Sequence, residues 1–393
     1  MISYAMTQEP RACYGCTACV QVCKAKAIRM IPNAEGFLYP SVDQDRCTHC
    51  GLCRKICPAE NMPEQTEIEA VYAVVSKDEK ALQHSSSGGV FRLLADYVLD
   101  QKGCVVGCVW DENSKPILKI AEEKDELLPM QGSKYLSSDP RNVFSEVRRR
   151  LLNGQIVLFT GAPCQNAGLL NFLRQPFTNL ITVDFLCHGM PSQKAFDAYV
   201  AMLEKKYRVK IEQFQFRDKT ARGWGLAESF VAGKRKKYFI GNTSPYLFGF
   251  VHGYFNRYSC YECPFRGKRI TDFSICDYWG VSQHHVIFDT EKGVSAVSVN
   301  TQKAIELFQQ LKGRCVTVDT KADWIAAENP SLLHGEVEDI PTLRKEIYTL
   351  IDREGWKQVE RRHLKCRYRL LKRLWYKIPR KSAKVIKHIL KRG

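Results

Sequence analysis

At 393 residues, 45% of them apolar, the chain has room for two or three domains, and no apolar run approaches the length of a membrane-spanning helix. Met1 to Arg11 lacks the apolar core of a signal peptide, so the seventeen cysteines are expected in a reducing, cytoplasmic compartment as metal ligands, not disulfides. The net charge of +17 does not argue for a nucleic-acid partner, because fourteen Lys and Arg and no acid lie between Arg361 and Gly393, leaving the rest near +3.

In chain order, the first element is a cysteine repeat. Cys13, Cys16, Cys19 and Cys23 form one run; Cys47, Cys50, Cys53 and Cys57, followed by Pro58, form the other. Both read C-x2-C-x2-C-x3-C, the bacterial ferredoxin spacing for 4Fe-4S clusters. Three thiolates so spaced wrap a tight loop around one cubane. The fourth, expected to open a helix that points away, serves the other cluster. Cys13, Cys16, Cys19 and Cys57 are assigned to one cluster, and Cys47, Cys50, Cys53 and Cys23 to the second. Zinc knuckles are disfavoured, because they pair C-x2-C units across a long gap. Lys24 stands where the first run would carry Pro. The unit is expected to span residues 1–66, and exposed clusters of this kind suit an anaerobic host.

Strands and helices then alternate. Val71 to Val75 reads as a strand, and Ser87 as the cap of a helix through Phe91, Leu94 and Val98. Cys104 to Trp110 is β-rich, and Asn142 to Leu152 is helical, ending at Gly154. Ile156 to Thr160 and Leu180 to Phe185 are apolar strands. Each leads into a cysteine-bearing loop, Gly161 to Gln165 and Cys187 to Ser192, and a helix from Gln193 to Lys205 follows the second. This order predicts a parallel α/β core. Ile211 to Ile240 reads as antiparallel strands, Ser295 to Asn300 as a strand and Thr301 to Leu311 as a helix.

A second cysteine group lies in this body. Open α/β sheets bind ligands beyond the carboxyl ends of their strands, which is where Cys164 and Cys187 stand. Cys260 and Cys263 form a C-x2-C unit in an aromatic loop. These four thiols are candidates for a third 4Fe-4S cluster, with Cys276 a rival fourth ligand. Cys104, Cys108, Cys315 and Cys366 lack such partners and read as packing or surface residues. No G-x-G-x-x-G and no Walker loop is present. Ser85 to Gly89 opens a helix and offers hydroxyl and N–H groups to a pyrophosphate, or serves as an ordinary cap. Gly132 to Tyr135 offers small residues, a cation and a ring suited to a flavin. Neither segment carries a claim alone.

Taken together, Ser86 to Gly89, Gly132 to Tyr135, Thr160 to Gln165, Asp184 to Gly189 with Pro191-Ser192, Cys260 to Pro264 and Asp277 to Gly280 resemble the coenzyme F420 hydrogenase/dehydrogenase beta subunit family. The resemblance covers roughly residues 67 to 310. It departs at Cys276, where Gly is expected before the Asp-Tyr-Trp-Gly motif. The N-terminal ferredoxin unit is similar to that of bacterial relatives. The resemblance implies FAD, at least one 4Fe-4S cluster, and electrons passed from clusters through the flavin to a hydride acceptor. Cofactor contacts are then expected from Ser86, Ser87, Gly88, Gly89, Gly132, Ser133, Lys134, Tyr135, Thr160, Gly161, Pro163 and Gln165. Lys134, Lys219 and His188 are the candidate catalytic groups.

The expected fold class is α+β and α/β. A dicluster ferredoxin fold leads into a large α/β flavin- and iron–sulfur-binding domain over residues 67–355, then a basic helical tail over 356–393. The expected activity is an oxidoreductase fed by reduced ferredoxin or another redox partner protein, acting on an organic acceptor. That acceptor is coenzyme F420-like or a biosynthetic, glycan-related compound. The alternative is a non-catalytic electron-transfer subunit docked on a partner. In the tail, Leu364, Tyr368, Leu371, Trp375 and Ile378 make one helical stripe among cations. Such a helix suits peripheral contact with an anionic membrane, or packing on its own domain.

Overall fold

A computed structural model describes residues 4–334 and 342–364. The two cysteine runs flank an antiparallel hairpin, β1 (Ile28–Pro32) and β2 (Leu38–Val42). Asn33 shapes its turn, its side-chain oxygen accepting from the N–H groups of Glu35 (3.1 Å) and Phe37 (2.9 Å). Gly36 completes the turn at φ +81°, where a Cβ would stand 2.6 Å from Cβ of Lys194. Each run carries a single helical turn, Ala18–Val22 or Leu52–Lys55. The fourth cysteine of each run follows its helix and does not open one. Cys19 lies within the first helix and Cys23 is its C-cap, one turn later.

Five strands begin the body: β3 (Ala70–Ser76), β4 (Cys104–Trp110), β5 (Pro116–Ala121), β6 (Val157–Thr160) and β7 (Leu180–Phe185). A small antiparallel sheet follows, of β8 (Ile211–Gln215), β9 (Ala227–Ala232) and β10 (Arg235–Ile240). The last three strands, β11 (Phe273–Asp277), β12 (Ser295–Val299) and β13 (Cys315–Asp319), return to the main sheet. Its order is β13-β3-β12-β11-β7-β6-β4-β5. The expected parallel core is present as β4, β6, β7 and β11, while β5, β12, β3 and β13 pair antiparallel, so the sheet is mixed. The parallel strands are apolar on both faces because helices cover them. Val157, Leu158 and Phe159 are all buried.

Ser87 does not cap the helix Val90–Asp100. Gly89 stands at the N-cap with φ +85°, and the Ser87 hydroxyl donates instead to the carbonyl of Val294 (2.8 Å). The hydroxyl found a partner from a distant part of the chain, which local capping preference does not anticipate.

The ferredoxin unit shares cores with the body. Cys16, Ala18 and Ile56 pack with Phe144, Val147 and Phe159, and Phe37 and Tyr39 pack with Phe196, Tyr348 and Trp356. Arg344 pairs with Glu35 through two bonds (2.7 and 2.6 Å) and donates to the carbonyl of Asn256 (2.9 Å). The body also extends past the expected boundary at 355. The helix Trp356–Arg362 buries Trp356 and Val359, and Leu364 is 1% exposed in the same core. Tyr368, Leu371, Trp375 and Ile378, the rest of the expected stripe, and Cys366 lie outside the described residues. No described helix is long and apolar enough to cross a membrane.

Candidate redox site

The first cysteine set is gathered as the spacing requires. Cys13, Cys16, Cys19 and Cys57 each lie within electrostatic reach of the other three. They line one cavity, which Gly15, in the left-handed region, helps to shape. Burial pushes the Cys16 thiol up to about 12 and those of Cys19 and Cys57 upward, and the neighbouring cysteines add to it. Thiolates crowded in so dry a place need a cationic centre to balance them, which suits a four-iron cubane. In the second set, Cys53 is within reach of Cys50 and Cys23. The N–H of Ala27 points at the Cys23 sulfur (3.3 Å). Cys50 is exposed, and the backbone N–H of Leu52 and the Thr48 side chain pull its thiol down. The two sets meet where Cys53 reaches Cys19.

The second group converges as well. Cys164 comes from the start of the helix Pro163–Leu173 after β6, Cys187 from the loop after β7, and Cys260 and Cys263 from the turn before β11. All four lie within mutual electrostatic reach. Burial, first, and the other thiols, second, push the Cys164 thiol upward and that of Cys260 up to about 11. The N–H of Gly189 points at the Cys187 sulfur (3.4 Å). Cys276 does not join them: the charges that bear on it are Asp277, Arg269 and Asp184. Among the described residues no three His, Cys, Asp or Glu side chains are drawn tightly enough for a single metal ion. A cubane spreads its four thiolates over four iron corners, a wider arrangement.

One helix ties this group to the first set. Cys164 stands at its N-terminal end, and Gly168, one turn later, packs on Cys16, whose sulfur would lie 2.9 Å from any Cβ placed there. Tyr14 sits between the two sets, its phenol pushed upward by burial and then by Cys263, Cys57, Cys164 and Cys16.

The expected flavin segments are joined by a residue that no local pattern marks. Arg217 is buried and bonded through every N–H-bearing nitrogen. It donates to the carbonyls of Gly225 (3.0 Å) and Ser86 (2.9 Å), to the Tyr135 hydroxyl (3.1 Å), and to both carboxylate oxygens of Asp277 (2.7 and 2.8 Å). Asp277 also accepts from the indole N–H of Trp224 (2.7 Å), which stacks on Trp279. The Asp-Tyr-Trp-Gly motif is therefore the counterpart of Arg217. The one visible signal is the segment Phe216-Arg217-Asp218-Lys219, in which Lys219 draws attention and the Arg does not.

Beside this hub lies a cleft of about 760 Å³, within the range of small-molecule sites. Trp110, Phe196 and Phe216 supply aromatic walls, and Ser133, Lys134, Arg217 and Lys219 supply polar ones. Ser86 reaches it through Ser133, whose N–H and hydroxyl both meet the Ser86 hydroxyl (2.8 and 2.9 Å). Other expected contacts have different duties. Gly88 donates to the Ser295 hydroxyl (2.9 Å), and a Cβ on it would strike the Val74 carbonyl at 2.1 Å. Gly89 is the helix cap. Thr160, Gly161, Pro163 and Gln165 do not line the cleft but surround Cys164. The Thr160 hydroxyl is buried with no hydrogen-bond partner among the described residues, and Gln165 donates to the Ser138 hydroxyl (2.9 Å).

The candidate catalytic groups differ. Lys134 donates to the carbonyls of Pro129 (2.9 Å), Gln131 and Gly132 (both 3.2 Å), and burial pushes its amine down. Lys219 donates to the carbonyls of Leu82 (2.8 Å), Ser87 and Lys292 (both 2.6 Å). Burial, then Arg217, pushes its amine down to about 7, while three carbonyl acceptors at these distances favour the ammonium. Both lysines tie loops together at the cleft wall. His188 is exposed next to Cys187.

Residues 71–143 match the family model for the N-terminal part of the coenzyme F420 hydrogenase/dehydrogenase beta subunit, and residues 154–323 match the model for its C-terminal part. Residues 12–61 match the 4Fe-4S dicluster domain. Among solved structures, a chain from the xenon-derivatized F420-reducing NiFe hydrogenase complex of Methanosarcina barkeri is similar. It is 16% identical, with a TM-score of 0.45, over 76% of this chain and 93% of that one. No curated protein matches the chain.

Proposed function

The chain belongs to the coenzyme F420 hydrogenase/dehydrogenase beta subunit family, with a 4Fe-4S dicluster domain at its N-terminus, and on that premise we propose an electron-transferring flavoprotein oxidoreductase. Electrons from a redox partner protein would enter at the two ferredoxin-type clusters, cross a third 4Fe-4S cluster and reach an organic acceptor through FAD. When bound, cubanes handle single electrons and a flavin couples two of them to one hydride.

The observation that carries this reading is the convergence of Cys164, Cys187, Cys260 and Cys263 beside Cys16. The residues form an ordered series. Exposed Cys50 marks the outer set, Cys19 and Cys53 link it to the inner set, and Tyr14 and Gly168 adjoin the third group. From there the loop after Cys187 leads toward the cleft, since the N–H of Ser137 donates to the Pro191 carbonyl (2.9 Å). In the cleft, Trp110 and Phe216 pack together and would offer one aromatic wall to a planar ring, while Ser133, Lys134 and Arg217 would orient polar groups. The acceptor class is F420-like or a biosynthetic, glycan-related compound.

A relay protein without its own catalysis is the second reading, favoured by the commitment of Lys134 and Lys219 to backbone carbonyls. Anaerobic preparation with flavin analysis separates the two. Stoichiometric FAD, lost in Arg217→Ala while ferredoxin-type iron remains, supports the flavoprotein. A fully iron-loaded chain that neither retains nor titrates with flavin supports the relay. For residues 365–393 we propose reversible contact with an anionic membrane, carried by their cations.

A further inference from the structure

Among the described residues, one charged side chain of the body hydrogen-bonds directly to a cluster-type cysteine of the ferredoxin unit. Arg257 lies 244 residues from Cys13 in sequence. Its guanidinium donates to the Cys13 carbonyl through Nε (2.7 Å), and through Nη2 to the Cys13 sulfur (3.2 Å) and the Leu38 carbonyl (2.9 Å). It rests on the ring of Tyr39, 4.0 Å from the centroid, which fixes its plane. Nη1 lies over Gly15 inside the Cys13–Cys16 loop, 3.2 Å from where a Cβ would stand, and Gly15 has φ +74°. Glycine there both permits the turn and leaves room for the cation.

Arg257 is 1% exposed. A buried guanidinium needs a negative counterpart. Among the described residues no carboxylate pairs with it, and the groups that favour its charge are Cys13, Tyr39 and Cys260. A cluster bearing four thiolates is an anionic partner of the right kind at the right place. The backbone reaches the other way: the Arg257 carbonyl accepts from the N–H of Cys260 (3.0 Å), and the Ser259 hydroxyl donates to the Cys13 carbonyl (2.9 Å). One short segment thus carries both the cation on the first set and a thiol of the second group.

We propose that Arg257 sets the reduction potential of the cluster held by Cys13, Cys16, Cys19 and Cys57, by placing a fixed positive charge and an N–H···S hydrogen bond on Cys13. Net charge and hydrogen bonds to sulfur are the levers that tune such clusters. Both favour the state with one more electron, so the inner ferredoxin cluster becomes the better acceptor and draws electrons away from the exposed outer one. Lysine retains the charge but not the planar fork that meets sulfur and two carbonyls together. Arg257 is a tuning residue, not a catalytic one. The proposal rests on the dicluster unit alone, so it stands or falls separately from the third cluster and FAD.

The test is an EPR-monitored redox titration of the full chain, prepared anaerobically, beside Arg257→Gln and Arg257→Lys. The midpoint of one ferredoxin-type cluster is expected to move to more negative potential in Arg257→Gln and by a smaller step in Arg257→Lys, with the other unmoved. Unchanged midpoints, or equal shifts in both clusters, would overturn the proposal, because a purely structural tie alters stability without selecting one potential. A second measurement needs no variant and holds if Arg257→Gln fails to fold. Wild-type chain labelled with 15N only in the arginine guanidinium nitrogens should show nitrogen coupling to one of the two reduced ferredoxin-type clusters in pulsed EPR, and absence of coupling to both would overturn it.

Discussion

Two groups of four cysteines are gathered in this molecule by opposite means. Cys13, Cys16 and Cys19 come from one loop seven residues long, with Cys57 added from a repeat of the same loop. Cys164, Cys187, Cys260 and Cys263 come from three separate connections, two that leave the carboxyl ends of β6 and β7 and one that precedes β11, spread over a hundred residues. In the first group the spacing itself makes the site. In the second the sheet does, and the site is only as sound as the packing and polar ties that hold those connections.

The largest effect expected from this difference is at Arg217. Arg217→Ala leaves Asp277 without its cation, and removing one partner of such a buried pair costs about 3–5 kcal/mol. Denaturation monitored by near-UV circular dichroism should show that loss. The ferredoxin-type EPR signals should persist while flavin binding disappears. A parallel fall of the ferredoxin signals would break the comparison, since it would make the cysteine loops as dependent on the body as the second group is.

Arg344→Ala sharpens it from the other side. The residue is buried and its Glu35 partner belongs to the hairpin, so the cost is again about 3 kcal/mol. Here the weakness should appear between the units, as faster proteolysis near the hairpin with the body's melting little changed. Leu364→Ala comes next, at roughly 2–4 kcal/mol for a buried leucine. Truncation after Glu360 removes the same side chain and should destabilise the body. Truncation after Leu364 should leave it intact and abolish sedimentation with anionic vesicles; unaltered sedimentation would end the membrane proposal. The smallest effect is expected at the exposed Lys292–Glu79 pair, where Lys292→Ala should leave the thermal melting midpoint unchanged.

What the sequence makes legible follows the same division. The gathering of the ferredoxin-type cysteines, with Cys57 drawn to the first run and Cys23 to the second, is readable because the pattern is local. The α/β order and the strand-end positions of Cys164 and Cys187 are readable from periodicity. Arg217, Arg257 and Arg344 are not, because each acts on a partner 60 to 309 residues away, and nothing local marks an arginine as buried. Ser87 misleads for a related reason: it stands where a cap is expected, but a distant carbonyl takes its hydroxyl. Cys276 reads as a possible ligand because it is a cysteine near a motif; β11 turns it toward Asp184 and Arg269 instead. The tail's stripe begins at Leu364, a residue that belongs to the core.

The most direct test of the central claim, that the second cysteine group is a third cluster site adjoining the ferredoxin unit, is iron and acid-labile sulfide in the anaerobically prepared chain beside Cys260→Ser. The account predicts about twelve irons per chain, falling to about eight in the variant with both ferredoxin-type EPR signals retained. About eight irons in both proteins would contradict it.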